Sequence, residues 1–309
     1  MPNAPHWGWY IILYFFLGGL ASGLFVVGTL AALNGDPRDR PITRFAYLAA
    51  FPLVITCAFL LTIDLGKPLR FWHMLFQSER IPMPMLKYWA PMSLGSWVVA
   101  IFGAFTAFAF LAALVDSGRL TNDRAVRAVA WARARPRPLR IVWTALALFF
   151  ALFFGGYTGV LLVGTNVPLW QHAQILGAVF LLSAASTAYA LLILGLRRQD
   201  ESAHAFSVGR LIAADRWIIV LELIAIAIML ITLGRFARPL ITGLFGVVFW
   251  LGVVGLGLVI PLVLPRISRI RGNIDRVALG AGCVLVGGLL LRFAVIMAPQ
   301  WPNVALWAL

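Results

Sequence analysis

Apolar positions along this sequence gather into runs of roughly 20 residues or more, much longer than a short buried strand or the one-sided stripe of a surface helix. Eight such runs can be traced, at about 7–33, 45–64, 88–115, 139–163, 170–196, 213–233, 239–264 and 277–298. At a rise of about 1.5 Å per residue, each is long enough to cross about 30 Å of hydrocarbon. Polar positions fall between the runs, and the basic ones favour alternate gaps. The gaps after the first, third, fifth and seventh runs hold Arg38, Arg40 and Arg44; then Arg119, Arg124, Arg127, Arg133, Arg135, Arg137 and Arg140. They continue with Arg197, Arg198, Arg210 and Arg216, and end with Arg266, Arg269, Arg271 and Arg276. The remaining gaps hold only Lys67, Arg70, Arg80, Lys87, Arg235 and Arg238, and Arg292 stays inside the last run. The pattern predicts an all-α integral membrane protein of eight transmembrane helices. Its arginine-rich gaps are expected in the cytoplasm and both termini outside.

Composition closes the soluble alternative. A chain of 309 residues with 62% hydrophobic content and a mean hydropathy of +0.93 would leave a large apolar surface in water. The longest gaps, 65–87 and 116–138, are too short for a soluble domain. The net charge of +14 belongs mainly to the interhelical gaps, where it favours anionic lipid head groups. Nucleic-acid binding is a poor fit, because no single element concentrates the basic residues. Cys57 and Cys283 both fall within spans, so neither a disulfide framework nor an iron–sulfur motif is present. The first run lacks a basic flank and a small-residue cleavage site, and reads as a retained helix.

Finer punctuation organises the spans. Gly18, Gly19, Gly23 and Gly28 in the first run allow close helix approach or room for a flat ligand. The fourth carries a similar patch, Gly155-Gly156-Tyr157-Thr158-Gly159. The short stretch 164–169 ties the fourth and fifth spans into a hairpin, and the Arg-Pro repeats at 133–138 resist helix continuation. Trp7, Trp9, Trp72, Trp89, Trp170, Trp301 and Trp307 near span ends read as interface anchors, and the tail after Pro299 is expected along the outer surface.

Charges at membrane depth are costly and mark candidates for function. Asp64 ends the second span and opens the run to His73, with Lys67 and Arg70 between. It reads either as an ion-paired turn or as part of a polar entrance where a quinone ring binds and protons move. Glu222 lies about six residues inside the sixth span, roughly 9 Å deep by helical rise. An interhelical hydrogen bond and a place in a proton path are both open to it. Arg292 can reach the outer head groups or pair with Asp64 or Glu222, and the shared outer side favours Asp64. Tyr157 and His172 flank the outer hairpin at matching depth and suit quinone oxygens as donors, although each also has a purely structural reading. His6 lies on the same side. Two facing imidazoles for a haem are not evident, and four His with two Cys offer no metal cluster.

The run Asp64-Leu65-Gly66-Lys67-Pro68-Leu69-Arg70-Phe71-Trp72-His73-Met74-Leu75 resembles the second-helix signature of the NrfD/PsrC family of membrane subunits. Pro84-Met85-Leu86-Lys87-Tyr88-Trp89 with Gly95-Ser96-Trp97, the opening Tyr14-Phe15-Phe16-Leu17-Gly18-Gly19-Leu20-Ala21-Ser22-Gly23, and Tyr157-Thr158-Gly159-Val160-Leu161-Leu162 with Pro168-Leu169-Trp170 resemble its other helices. The resemblance implies two four-helix bundles, 1–164 and 165–309, without bound haem or metal. It also implies a quinone or quinol (menaquinone or ubiquinone) near the outer face of a bacterial inner membrane. The partners it implies are an iron–sulfur subunit and a large molybdopterin catalytic subunit on that face, so this chain would not carry the catalytic centre. Tyr157 matches the family's helix-four tyrosine and Asp64 its second-helix aspartate, while the pocket histidine and asparagine fall near His6 and Asn3. The site expected is therefore Asp64, His73, Tyr157, His172 and Glu222 for proton chemistry, with His6 and Arg292 around the ring. A secondary transporter, or a proton-translocating subunit without quinone chemistry, is the rival.

Overall fold

The computed structural model describes residues 7–76, 84, 90–196, 201–267 and 274–300, with side chains in the last two stretches at 209–264 and 276–300. His6 and the tail from residue 301 therefore lie outside the described residues. Among the described residues eight helices are long and apolar enough to cross a membrane, and the chain is a multi-pass, all-α membrane protein. No strand occurs among the described residues; Phe76 and Pro84 form one isolated antiparallel bridge.

The first hairpin shows how local sequence sets the path. Helix α1 (Trp9–Asn34) stops at Gly35, whose φ of 72° makes the left-handed C-cap that glycine adopts freely. Asp36 then accepts the backbone N–H of Arg38 and opens a 3-10 turn over Pro37–Asp39. Helix α2 (Arg40–Asp64) follows at once, with Pro41 in its first turn, so the second span starts earlier than the apolar run alone suggests. Helices α3 (Pro91–Asp116) and α5 (Arg137–Val163) cross next. The basic gap between them is not all loop. It folds as α4 (Asp123–Arg133), capped by the Asn122 side chain and held to the end of α3 by a bidentate Arg133–Asp116 pair at 2.6–2.8 Å. The helix then breaks and restarts at Arg137 with Pro138 in its first turn, as the Arg-Pro repeats suggest.

The second half departs from expectation in three places. The fifth span, α7 (Leu176–Leu196), begins after a separate short helix α6 (Pro168–His172), so His172 lies outside the span. The sixth, α8 (Glu201–Leu233), begins well before its apolar run and draws Asp215 and Arg216 into the helix. A 3-10 turn and α9 (Arg238–Ile241) then lead into the seventh span. That span joins α10 (Gly243–Val247), a π-helical stretch Val248–Val259 and α11 (Ile260–Ile267). Gly257 meets Gly287 of α12 (Ile274–Met297) backbone to backbone, and a Cβ at 257 would lie 2.7 Å from the Gly287 Cα.

The most enclosed span is α1, 78% of its apolar window being buried. It packs on α2, α5, α7 and α12. Ser22 donates to the Ala151 carbonyl of α5 at 2.6 Å, and its neighbour Gly23 lies against α7 at Ala184. At the arginine-rich end, buried Asp39 accepts from Asn34 and from Arg210 of α8 at 3.1 Å. Arg210 is 46% exposed and Asp39 only 3%, which makes the two partners unequal. Arg210→Ala should destabilise the protein by about 1–3 kcal/mol by leaving a buried carboxylate short of its cation. Asp39→Ala should cost less, because water solvates the freed guanidinium. Thermal unfolding in detergent reads the order, and equal losses would contradict it.

Candidate functional site

Three helices bring ionisable and hydroxyl side chains together inside the membrane. Arg292 of α12 is buried, and its guanidinium donates to Ser183 Oγ and to the Phe180 and Gly288 carbonyls, the latter two at 3.0 Å. The same group lies 4.9 Å from the Phe180 ring centroid. Glu222 of α8 is equally enclosed, interacts with Ser183, and lies within electrostatic reach of Arg292. Its Oε2 and the Arg292 Nε have no hydrogen-bond partner among the described residues. Seven residues earlier on α8, buried Asp215 accepts from Ser186 of α7 at 3.0 Å. A spacing of seven puts Asp215 and Glu222 on one face of α8, and a spacing of three does the same for Ser183 and Ser186 on α7. The helices run antiparallel, so the polar groups form a string: Arg292, Ser183 and Glu222, then Ser186 and Asp215. A cavity of about 80 Å³ continues from Asp215 to Arg276 near the arginine-rich end, with room for water.

The cluster corrects one expectation and adds a residue that hydropathy alone did not single out. Arg292 belongs with Glu222 rather than Asp64, because its guanidinium turns inward onto α7 and Gly19 of α1, within electrostatic reach of Glu222, instead of reaching the outer head groups. Asp215 escaped notice because, beside Arg216 at the start of an apolar run, it reads as a loop charge. Its seven-residue spacing from Glu222 was the available signal.

A second group gathers at the arginine-poor end, around the start of α3. The Tyr157 hydroxyl of α5 donates to the Pro91 carbonyl, and its ring is buried against Gly95. A Cβ at 95 would lie 2.6 Å from the Tyr157 oxygen, so glycine is what permits this approach. The 3-10 turn Pro68–Met74 packs on α2 and α3 and carries half-buried His73, edge-on to Trp72 at 3.8 Å. Ser96 of α3 bonds the Met74 sulfur, which holds the turn in place. Asp64 is exposed, and among the described residues it forms no ion pair with Lys67 or Arg70. Among the described residues the ion-paired turn is therefore absent, and the carboxylate is exposed on the protein surface.

His172 does not join this group. It is exposed at the end of α6, bonds its own turn at the Pro168 carbonyl, and stacks on Phe236 at 4.0 Å. The separate helix explains the misplacement, since a continuous fifth span would have carried the imidazole into the bundle. Trp170 takes the interior position instead. It is fully buried, stacks on Trp7 at 5.3 Å and donates to the Val295 carbonyl at 2.7 Å, so it is a core residue rather than an interface anchor. Among the described residues no cluster of His, Cys, Asp and Glu could hold a metal ion.

The family model described as polysulphide reductase, NrfD, matches residues 1–303. This chain belongs to the NrfD family. It is 31% identical to a polysulfide reductase chain of Wolinella succinogenes, over 96% of this sequence and 95% of that one. It is 28% identical to protein NrfD of Escherichia coli, over 95% of each. A shorter likeness, 28% over 102 residues, links it to a selenate reductase subunit of Mesobacillus selenatarsenatis, covering 33% of this sequence and 21% of that one. The NrfD match spans all eight helices, so both polar groups lie within the shared region.

Proposed function

We propose that this chain is the quinone-interacting membrane subunit of a respiratory oxidoreductase complex. In this reading it exchanges electrons at its arginine-poor, outer face with an iron–sulfur subunit that serves a molybdopterin catalytic subunit. The observation that carries the reading is near-complete alignment with a relative named as one chain of polysulfide reductase. The alternation of basic gaps supports placement in a bacterial inner membrane with both termini outside. The division into bundles 1–164 and 165–309 belongs to the same proposal, with α1 contacting helices of both.

The residues around the start of α3 fit a quinone in chemistry. A bound quinone supplies a two-electron, two-proton couple. The Tyr157 oxygen, whose proton is directed at Pro91, keeps lone pairs that can accept from a hydroxyl and orient it. Asp64 is exposed at the end of α2 and can take up and release protons where water reaches it. His73, between them in exposure, is a second proton acceptor. Glu222 is the candidate proton carrier within the bundle, supported by its enclosure and by an Oε2 that has no hydrogen-bond partner among the described residues. The string from Asp215 to Glu222 supports proton uptake from the arginine-rich end, which would make turnover electrogenic.

Tyr157→Phe tests the site. Removing one buried hydrogen-bonding hydroxyl should lower quinol-linked turnover at limiting quinol about tenfold, on the basis of about 1–3 kcal/mol for such a bond, while the complex still assembles. Unchanged kinetics would take Tyr157 out of the site. Mild-detergent purification should bring down iron–sulfur and molybdopterin subunits, and full activity of the lone protein as a transporter in liposomes would overturn the reading.

A further inference from the structure

A large open cavity lies away from both polar groups, at the arginine-rich end. It measures about 1220 Å³ and is bounded by the ends of α1 and α3, the start of α2 and the Arg133 side chain of α4. Its polar rim contains Arg40, Arg44, Arg119 and Arg133 with Asp36 and Asp116. Both carboxylates are already matched: Arg38 holds Asp36 at 2.9 Å, and Arg133 holds Asp116 at 2.6 Å. Arg40, Arg44 and Arg119 are exposed and, among the described residues, make no ion pair or side-chain hydrogen bond. The rim thus presents three uncompensated guanidinium groups to one cavity.

The rest of the lining is apolar. Phe45, Leu48 and Ala49 of α2 face Ala112 and Ala113 of α3. Leu48 follows Arg44 by four residues, about 6 Å deeper along the helix axis. The cavity therefore passes from cationic at the membrane surface to hydrocarbon-like below it. Helix α4 marks the level of that surface. It is short and amphipathic, with Val129 buried and Trp131 exposed beneath the Arg135 guanidinium at 3.5 Å, as suits a helix lying in the head-group layer. A soluble oxyanion would use the rim and leave the apolar walls unmatched. An uncharged lipid would use the walls and leave the cations unmatched.

We infer that this cavity binds an anionic glycerophospholipid of the arginine-side leaflet, its head-group phosphate held by Arg40, Arg44 and Arg119 and its acyl chains lying against Leu48 and Ala112. Arginine suits the task because its planar fork donates two parallel hydrogen bonds to phosphate oxygens. The site does not depend on the quinone reading, since it shares no residue with Tyr157, Asp64 or Glu222.

The test is native mass spectrometry of the detergent-purified protein with its associated subunits, titrated with phosphatidylglycerol and with phosphatidylcholine. Phosphatidylglycerol should remain bound at activation energies that strip phosphatidylcholine. The triple variant Arg40→Gln, Arg44→Gln, Arg119→Gln should weaken its retention at least about tenfold, whereas Arg124→Gln with Arg127→Gln on α4 should not. Ala112→Phe, which fills the apolar part and leaves every charge in place, should weaken it as well; it supplies an independent test if the triple variant does not fold. Equal retention of the two lipids, or no loss in Ala112→Phe, would overturn the inference. Displacement by millimolar inorganic phosphate would identify a simple oxyanion site and overturn the lipid assignment. Equally tight binding of a polyglutamate peptide would do the same in favour of a soluble acidic partner.

Discussion

Arg292→Met is expected to destabilise the protein by about 3–5 kcal/mol, because it removes the guanidinium within electrostatic reach of enclosed Glu222 together with its hydrogen bonds to Ser183 and to the Phe180 and Gly288 carbonyls. That is a large share of the roughly 5–15 kcal/mol that keeps a typical protein folded. Methionine keeps an unbranched apolar stem but is shorter and donates no hydrogen bond, so the loss combines charge with the bonds to Ser183, Phe180 and Gly288. It leaves the Glu222 carboxylate enclosed without the guanidinium that faces it across Ser183. Glu222→Gln should be milder, because the amide can still bond Ser183 and the Arg292 guanidinium keeps its bonds to Ser183 and to the Phe180 and Gly288 carbonyls. The decisive comparison is with the double variant Arg292→Met, Glu222→Met. With both ionisable groups gone no charge is left enclosed without a partner, and thermal stability in detergent should return to within about 1–2 kcal/mol of the parent. A double variant as unstable as Arg292→Met would show that Arg292 acts mainly through its bonds to the Phe180 and Gly288 carbonyls. The same pair separates structure from proton transfer. In reconstituted vesicles Glu222→Gln should retain assembly and lose charge movement coupled to turnover, and unchanged coupling would take Glu222 out of any proton route.

Only part of this cluster is legible along the linear sequence. The eight spans follow from apolar length alone, because a membrane helix must satisfy its backbone internally and needs about 20 apolar residues to do so. Glu222 and Arg292 stand out as charges inside those runs. Their pairing does not, because it depends on which faces of α7, α8 and α12 turn inward. The shared outer side that favours Asp64 as the partner of Arg292 is a statement about depth, and depth does not fix azimuth. Asp215 is hidden for a different reason. The apolar run starts near it, but the helix starts at Glu201, and polar residues can extend a helix beyond the hydrocarbon at little cost. His172 errs the opposite way: the span traced along the sequence opens at 170 despite Gln171, His172 and Gln174, while the backbone turns at Ala173 and the helix proper begins at Leu176. Both boundaries are set by backbone geometry that hydropathy does not record. At the other end, motif singles out Tyr157 and Asp64, while the role of Gly95 in admitting the Tyr157 ring emerges only from the packing.

Gly23→Val should be the most damaging single change in the glycine stripe of α1. On helix propensity alone, replacing a mid-helix glycine should stabilise by up to about 1 kcal/mol. Sterics oppose this. A Cβ at position 23 would lie 2.8 Å from the Ala184 carbonyl carbon and 2.8 Å from the Ala188 methyl, and closer still to the Ala184 oxygen. The first of these contacts is backbone in the middle of α7, which cannot rotate away. Overpacking of this kind costs about 1–3 kcal/mol even where neighbours can adjust, and more where they cannot. The effect should not stay local, because the same seam carries the polar cluster. One turn earlier, Gly19 lies against both Ala184 and Arg292, where a Cβ would stand 3.2 Å from the guanidinium. Moving α7 away from α1 therefore draws Ser183 and the Phe180 carbonyl off Arg292. Gly23→Val should lower thermal stability by several kcal/mol, and even Gly23→Ala should destabilise despite its helix propensity. Gly66→Ala, with nothing within 4 Å of the added carbon, should leave stability nearly unchanged and serves as the control. A neutral or stabilising Gly23→Ala would mean that α1 and α7 can separate freely, and the close seam could then no longer be what holds Arg292 opposite Glu222.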